Sequence, residues 1–234
     1  MKYKPHKIIC MLLTLILLFN LLPSAKADAA SVADHVIISQ IYGAGGNKGA
    51  VYNADFIELY NPTNYDIDLS GWSLQYGSAT GTWPCKSSSR YLLSGTIKAH
   101  SYYLIVCSEG SNGDPLPVTA DLSGCGLSLA ESKGKLALVC STELIASKSD
   151  PIVLDFVGYG SANESEGAPA PAPSKTASII RREDGMDTDS NAADFTTTTP
   201  PTPRNGQTTL PEDSETVKSS ASNTPKIFKD IAIE

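Results

Sequence analysis

The stretch from Asp55 to Tyr76 reads Asp-Phe-Ile-Glu-Leu-Tyr-Asn-Pro-Thr-Asn-Tyr-Asp-Ile-Asp-Leu-Ser-Gly-Trp-Ser-Leu-Gln-Tyr, with apolar residues recurring at period two on either side of a polar connection. This pattern commits the chain to paired strands. Ile57 and Leu59 face one way, and Phe56, Glu58 and Tyr60 the other. Asn61-Pro62 ends the first ladder, because proline brings no donor and restricts the residue before it. A connection rich in Asp, Asn and Ser then reaches Gly71, after which Trp72, Leu74 and Tyr76 alternate again.

The same rhythm runs from Ala33 to about Phe195: short apolar runs are broken every ten residues or so by Gly, Asn, Asp, Ser or Pro, and no segment shows helical period. Strands are expected near 35–42, 55–61, 72–76, 90–97, 101–107, 135–140 and 152–159, with a weaker one at 126–129. That number suffices for two sheets over one core, an all-β sandwich. Trp72, Leu74, Ile105, Leu136, Leu138, Val153 and Phe156 are the residues expected between the sheets. The tyrosines at 42, 60, 76, 102, 103 and 159 suit either core edges or a binding face that shows its hydroxyls. Ala168-Pro169-Ala170-Pro171-Ala172-Pro173 reads as a stiff strap before the chain resumes at Ser178. Thr196–Thr199 and the prolines after it read as the start of a linker, because they lack apolar content.

Basic residues, the apolar run Ile8–Leu22 and the small-residue site Ala25-Lys26-Ala27 mark residues 1–27 as a secretory signal peptide. Its removal takes away Lys2, Lys4, Lys7 and Lys26 and no acid, which carries the net charge from −7 to −11. So acidic a chain repels phosphate backbones, and its one adjacent basic pair, Arg181-Arg182, is followed at once by Glu183-Asp184, so nucleic acid is not an expected partner. An exported chain with four remaining cysteines, Cys85, Cys107, Cys125 and Cys140, admits a disulfide framework in three connectivities. The alternative is four small buried hydrophobes. None stands in a Cys-x-x-Cys pair, so zinc is unsupported.

Catalytic arrangements are mostly missing. Only His35 and His100 survive signal removal, one at a strand start and one in a turn. Gly126-Leu127-Ser128-Leu129-Ala130 lacks the last glycine of a nucleophile elbow. The loop Gly43–Gly49 lacks the Gly-Lys-Ser/Thr ending of a phosphate cradle and reads as a flexible arch. Asp55 and Glu58 stand three apart on one strand and point to opposite faces, so they do not form an acid–base pair, and Glu58 is expected as a surface contact. Asp187, Asp189 and Asn191 alternate, with Asp194 behind, and offer oxygen ligands at the spacing that opens a calcium loop. The glycine and distant glutamate of a regular loop are missing, so the readings are a structural calcium site or an Asx-rich turn.

The strand at 55–61 stands in order with the Gly43–Gly49 loop, Leu69-Ser70-Gly71-Trp72, Tyr102-Tyr103-Leu104-Ile105, Gly134–Val139, Asp187-Thr188-Asp189 and Pro203-Arg204-Asn205. In these blocks the chain resembles the lamin-tail domain (LTD) of secreted bacterial proteins, over residues 34–206. The resemblance implies an immunoglobulin-like β-sandwich with no recognised active site and no cofactor, acting as a binding or scaffolding module. Such domains accompany secreted nucleases and phosphoesterases, which makes an accessory module of such an enzyme the alternative. The expected partner is a protein or cell-envelope component, the expected location extracellular or at the cell surface, and the residues expected to make contact are Tyr42, Glu58 and Tyr60. Residues 207–234 are expected to form a disordered acidic Ser/Thr/Pro-rich tail or linker, whose apolar end at Lys226–Glu234 suits either a sticky terminus or the first strand of a further domain.

Overall fold

Period-two alternation becomes eleven short strands in the computed structural model, which describes residues 32–208. The expected signal peptide, residues 1–27, and residues 209–234 of the expected tail lie outside the described residues. The strands are β1 (Ile37–Tyr42), β2 (Ala54–Asn61), β3 (Ile67–Asp68), β4 (Ser73–Gly77), β5 (Arg90–Leu92), β6 (Thr96–Ile97), β7 (Ser101–Glu109), β8 (Gly134–Val139), β9 (Val153–Tyr159), β10 (Ser178–Arg181) and β11 (Phe195–Thr198). A single helical turn, α1 (Asn191–Asp194), precedes β11. Among the described residues no helix is long and apolar enough to cross a membrane.

Two antiparallel sheets face one another, one in the order β11-β10-β1-β2-β7 and the other β5-β4-β8-β9, with the small pair β3-β6 beside them. The alternation of β2 places Ile57 and Leu59 inward, where they meet Ile38, Ile41, Ile105, Leu74, Leu136, Leu138, Val157 and Ile179 in one core. Each such side chain contributes roughly 1.5–3 kcal/mol by leaving water. The fold is therefore the two-sheet β-sandwich that the strand rhythm implies, of the immunoglobulin-like kind that the resemblance implies.

The outward faces are covered as well. Tyr42, Phe56 and Leu104 form a second cluster beneath Leu116–Ala120, and Ile37, Tyr60 and Tyr102 a third. Val153 and Phe156 were expected between the sheets, but they lie on the outer side of the four-stranded sheet with Ala137, Val139, Ile145 and Trp83. The register explains the correction: Phe156 is opposite Ala137, which leaves Asp155, Val157 and Tyr159 inward, and the irregularity between Leu138 and Val139 sets Val153 opposite the outward Val139. Trp72 packs at the margin of the core, not within it.

Two expected strands changed form. The 90–97 run breaks at Gly95, whose φ is 83°, into β5 and β6, which join different sheets. The 126–129 run makes no strand but lies along β7, with Ser108 N–H donating to Leu127 O at 3.2 Å. Thr196–Thr198, expected in a linker, pair with β10 instead. Three β-branched threonines suit a half-exposed edge strand, and buried Phe195 anchors it. The Gly43–Gly49 arch is packed: a Cβ on Gly45 would stand 1.9 Å from the Ala54 carbonyl carbon, so only glycine fits there.

Of the four cysteines, the fold brings Cys107 of β7 and Cys125 of the adjoining segment to 2.9 Å, sulfur to sulfur, in the core. Cys85 faces Gln75 and Ser89, and Cys140 faces the Ile152 carbonyl. The Cys107 thiol donates to Cys125 and lowers the pKa of Cys125, while burial pushes Cys107 up, so Cys125 is the readier thiolate. Exposure to a disulfide oxidant such as oxidised glutathione should move two electrons and two protons from this pair to the oxidant and leave a Cys107–Cys125 bond. Non-reducing peptide mapping should find that link in a chain two hydrogens lighter, stabilised by roughly 3 kcal/mol over its reduced form. Linkage of Cys85 to Cys140 would contradict this.

Candidate functional site

The inward run of β9 is Asp155, Val157 and Tyr159, and that of β10 is Ile179 and Arg181, so alternation sends one carboxylate and one guanidinium into the space between the sheets. There they meet: Arg181 Nη2 donates to Asp155 Oδ2 at 2.9 Å, and both side chains are almost completely buried. Each also takes a backbone group of Ile38. The Ile38 N–H donates to Asp155 Oδ2 at 2.6 Å, and Arg181 Nε donates to the Ile38 carbonyl at 2.8 Å. The pairing of β1 with β10 stops at Gln40, beside a bulge in β1, so this ion pair continues the ladder that the backbone abandons.

The remaining guanidinium hydrogens hold the segment between β10 and β11. Arg181 Nη1 reaches the Met186 carbonyl at 2.9 Å and the carboxylates of Asp187 and Asp194 at 3.3 Å each. Phe195 lies beneath the guanidinium, 4.7 Å from ring centre to Cζ. Asp194 also accepts from Thr188 N–H at 3.1 Å and Thr188 Oγ1 at 2.6 Å. Burial works against the Arg181 charge, but Asp155, Asp187 and Asp194 together outweigh it and hold its pKa above the ordinary value.

Asn191, at the start of α1, ties the same segment to β9. Its amide donates to Phe156 O and Glu166 Oε2, each at 3.0 Å, and its oxygen accepts from Gly158 N–H at 2.8 Å and Glu166 N–H at 3.2 Å. Glu166 Oε1 accepts from Phe156 N–H at 3.1 Å. Burial and the nearby charges of Asp155 and Asp187 push the Glu166 carboxyl up to about 9, and burial with Asp155 raises Asp187 as well. Four carboxylates, Asp155, Glu166, Asp187 and Asp194, thus crowd around a single arginine.

A second arginine closes the outer face of the five-stranded sheet. After β11 the chain crosses this face: Thr202 bonds Gln40 of β1, and Arg204 bonds Glu58 of β2 at 2.8 Å. Arg204 also pairs with Asp184 at 3.0 Å and stacks 3.8 Å above the ring of Tyr102 of β7, while Asn205 donates to Thr119 O at 2.8 Å. Glu58 is completely buried; desolvation raises its pKa against the pull of Arg204. Asp184 accepts the Tyr102 hydroxyl, and burial together with that bond pushes the phenol well above its ordinary value.

These positions revise the expected site. Tyr42 and Glu58 have no exposed surface and Tyr60 keeps 6 %, so none of the three is a surface contact. Tyr42 spends its hydroxyl on the Lys175 carbonyl at 2.6 Å and Val51 N–H at 3.1 Å, and Tyr60 stacks on Tyr102 at 4.9 Å. The expected calcium loop is also redrawn. Asp189 is exposed with a φ of 53°, the Asn191 amide is fully used by β9 and Glu166, and Asp194 is taken by Thr188 and Arg181. Only Asp187 of that set joins a cluster of potential ligands, with Asp155 and Glu166. His35 touches Asp34 and His100 touches Asn64, and neither stands against a nucleophile among the described residues.

Asp155, Glu166, Arg181 and Arg204 escaped the sequence reading. Asp155 and Arg181 had a usable signal, each being a charge at an inward position of an alternating strand. Glu166 had none, because it stands in a loop.

An antiparallel sandwich with an ion pair between its sheets and a C-terminal strap over one of them is the class that fold and site define. The family model described as Lamin Tail Domain matches residues 29–156, more than half of the 234 residues. The chain belongs to the lamin tail domain family. The match ends within β9, although β10 and β11 complete the larger sheet. Among solved structures, a DUF4876 family protein from Bacteroides thetaiotaomicron VPI-5482 is similar at 15% identity and a TM-score of 0.49, over 77% of this chain and 75% of that one. No curated protein matches.

Two predictions follow from these geometries. Arg181→Met strands buried Asp155 and Asp194 without their cation and should cost about 3–5 kcal/mol in chemical denaturation, far more than Arg182→Met, whose guanidinium bonds the Ala193 carbonyl at an exposed site. The second concerns Asp55. Burial raises its carboxyl to about 7, against the opposing N–H bonds from Leu129 at 3.1 Å and Gly45 at 2.8 Å. With the folded value above the unfolded one, the folded state holds the extra proton between about pH 4 and 7, so this group lowers stability as pH rises through that window. Asp55→Asn should flatten the fall; an unchanged pH–stability curve would count against the shift.

Proposed function

We propose that this lamin-tail module is exported and works without bond-breaking chemistry, as a binding or scaffolding piece that takes up an extended segment of a protein or cell-envelope component along β11. The supporting observation is the unequal treatment of the edges of the two sheets. The β7 edge is closed by the chain itself, through Val106 N–H to Leu122 O at 2.9 Å and Cys125 N–H to Val106 O at 3.2 Å. The β9 edge is closed by the proline-rich strap, with Gly160 N–H to Ala170 O at 3.0 Å and Ala170 N–H to Gly158 O at 2.8 Å. β5 is three residues long. β11 pairs only with β10 among the described residues.

The ladder's phase shows which groups β11 offers. Arg182 N–H donates to Asp194 O at 2.7 Å, so antiparallel alternation makes Ile180–Thr196 and Ser178–Thr198 the bonded pairs. The N–H and C=O of Thr197 then point away from β10, and its side chain is exposed. An added strand would find one donor and one acceptor at that position, with the flanking threonines for side-chain contact.

The use made of the charged groups supports the non-catalytic reading. The buried carboxylates of Asp155, Asp194 and Glu58 are each held by an arginine and by backbone or hydroxyl donors, and so are not presented to a substrate.

Thr197→Pro removes the outward donor without touching a bonded pair. Immobilised chain should retain one or more envelope components from detergent extracts, and the Thr197→Pro chain, with an unchanged melting temperature, should lose at least about 90% of that retention, or about 1.4 kcal/mol of binding. Equal retention by the variant, or turnover of ester or phosphoester substrates by the purified chain, would overturn the reading.

A further inference from the structure

The acidic cluster between β9 and the segment after β10 holds an observation that the ion pairs leave unexplained. Asp155 is completely buried, and its Oδ2 is occupied by Ile38 N–H and Arg181, yet its Oδ1 has no hydrogen-bond partner. A buried carboxylate oxygen left bare costs the full desolvation of that atom, so native folds supply such an oxygen with a donor or a cation. The same side chain belongs to a cluster of carboxylates: one oxygen each of Asp155, Glu166 and Asp187 lie within 4.8 Å of one another.

We infer that Asp155, Glu166 and Asp187 form a binding site for one calcium ion. Three arguments converge. The first is size: calcium holds its oxygens at about 2.3–2.6 Å, so ligands across its sphere stand at most about 5 Å apart, and the oxygens of this trio, all within 4.8 Å of one another, fall inside that limit. The second is charge. Asp155, Glu166, Asp187 and Asp194 bring four carboxyl groups to a single cation, that of Arg181, and a divalent ion offsets the excess of carboxylate where water cannot. The third is donor type. The cluster offers carboxylate oxygens and no imidazole or thiolate, which selects a hard cation over zinc or copper.

Access comes from the Asp187 side. A pocket of about 290 Å³ lined by Val32, Ala33, Asp34, His35, Asp187 and Asp189 opens beside the cluster, with room for the waters that complete a sphere of six to eight oxygens. Magnesium fits less well, since it demands a near-ideal octahedron at about 2.0–2.1 Å. Asp155 and Glu166 are fixed by backbone N–H groups of Ile38 and Phe156, which limits how far they can close.

The rival account of the bare oxygen is a proton shared between Glu166 and Asp155, and the experiment separates the two. The purified chain is stripped with EDTA, exchanged into metal-free buffer at pH 7.5, and titrated with CaCl2 by isothermal calorimetry and thermal melting. One site per chain is expected, with a melting-temperature rise of about 5–10 °C at roughly 100 times Kd. Glu166→Gln should abolish the calcium response, and Asp187→Asn should weaken binding at least tenfold. Should Glu166→Gln fold poorly, Asp187→Asn decides, because Asp187 stands at the pocket and an asparagine there keeps an oxygen for Arg181 and Asp189 N–H. The inference is overturned if the parent chain shows neither heat nor a thermal shift, the result that the shared proton requires. It is equally overturned if both variants respond to calcium as the parent does, or if MgCl2 gives the same shift at the same concentration.

Discussion

The contact between Arg181 and Asp155 is the constraint around which the rest is arranged. The two residues come from different sheets, and each also takes one backbone group of Ile38, so three strands are joined at one buried point. A buried ion pair is a poor source of net stability, because desolvating both charges offsets most of the Coulombic gain. Its physical value is directional. Apolar side chains would allow the sheets to slide over one another, whereas a guanidinium with bonds to Asp155, Ile38, Met186 and Asp194 fixes one alignment.

The segment after β9 carries little apolar surface, and the two arginines hold it in place. Arg181 gathers Met186, Asp187 and Asp194 on the inside, and Arg204 gathers Glu58, Asp184 and Tyr102 on the outside. Both arginines use the planar fork of donors that a lysine lacks, and both lie over an aromatic ring. Asn191 adds a neutral clamp with all four of its hydrogen-bonding positions used. As a result a threonine- and proline-rich sequence, which would not fold alone, supplies an edge strand and a cover for the larger sheet.

That cover decides what the molecule can present to others. With loops and strap over the outer faces, the tyrosines of β1, β2 and β7 become packing residues, and in the proposed function recognition falls to backbone groups at an edge. The chain closes the β7 and β9 edges with its own segments, which limits uncontrolled strand addition. Of the longer edges, β11 is the one whose bonding phase turns a donor and an acceptor outward.

The sequence by itself determined the layer architecture. Period-two alternation at 55–61, 72–76, 101–107 and 135–140 is a local property; it named the strands and the inward residues Leu74, Ile105, Leu136 and Leu138, and it set Ile57 and Leu59 on one shared face. For β9 the sequence suggests the other phase, with Val153 and Phe156 inward, so the pairing with β8 decided that Asp155 points inward, and nothing local says that two charges 26 residues apart will meet. The tertiary structure alone decided what lies over the outward faces, and hence that Tyr42, Tyr60 and Glu58 are interior. It also decided which carboxylates converge: Asp155 comes from a strand, Glu166 from a loop and Asp187 from the irregular segment after β10, so their meeting depends on sheet packing and not on spacing. Alternation records which way a side chain points; only the long-range pairing of β10, β11 and the strap with distant strands records what it finds there.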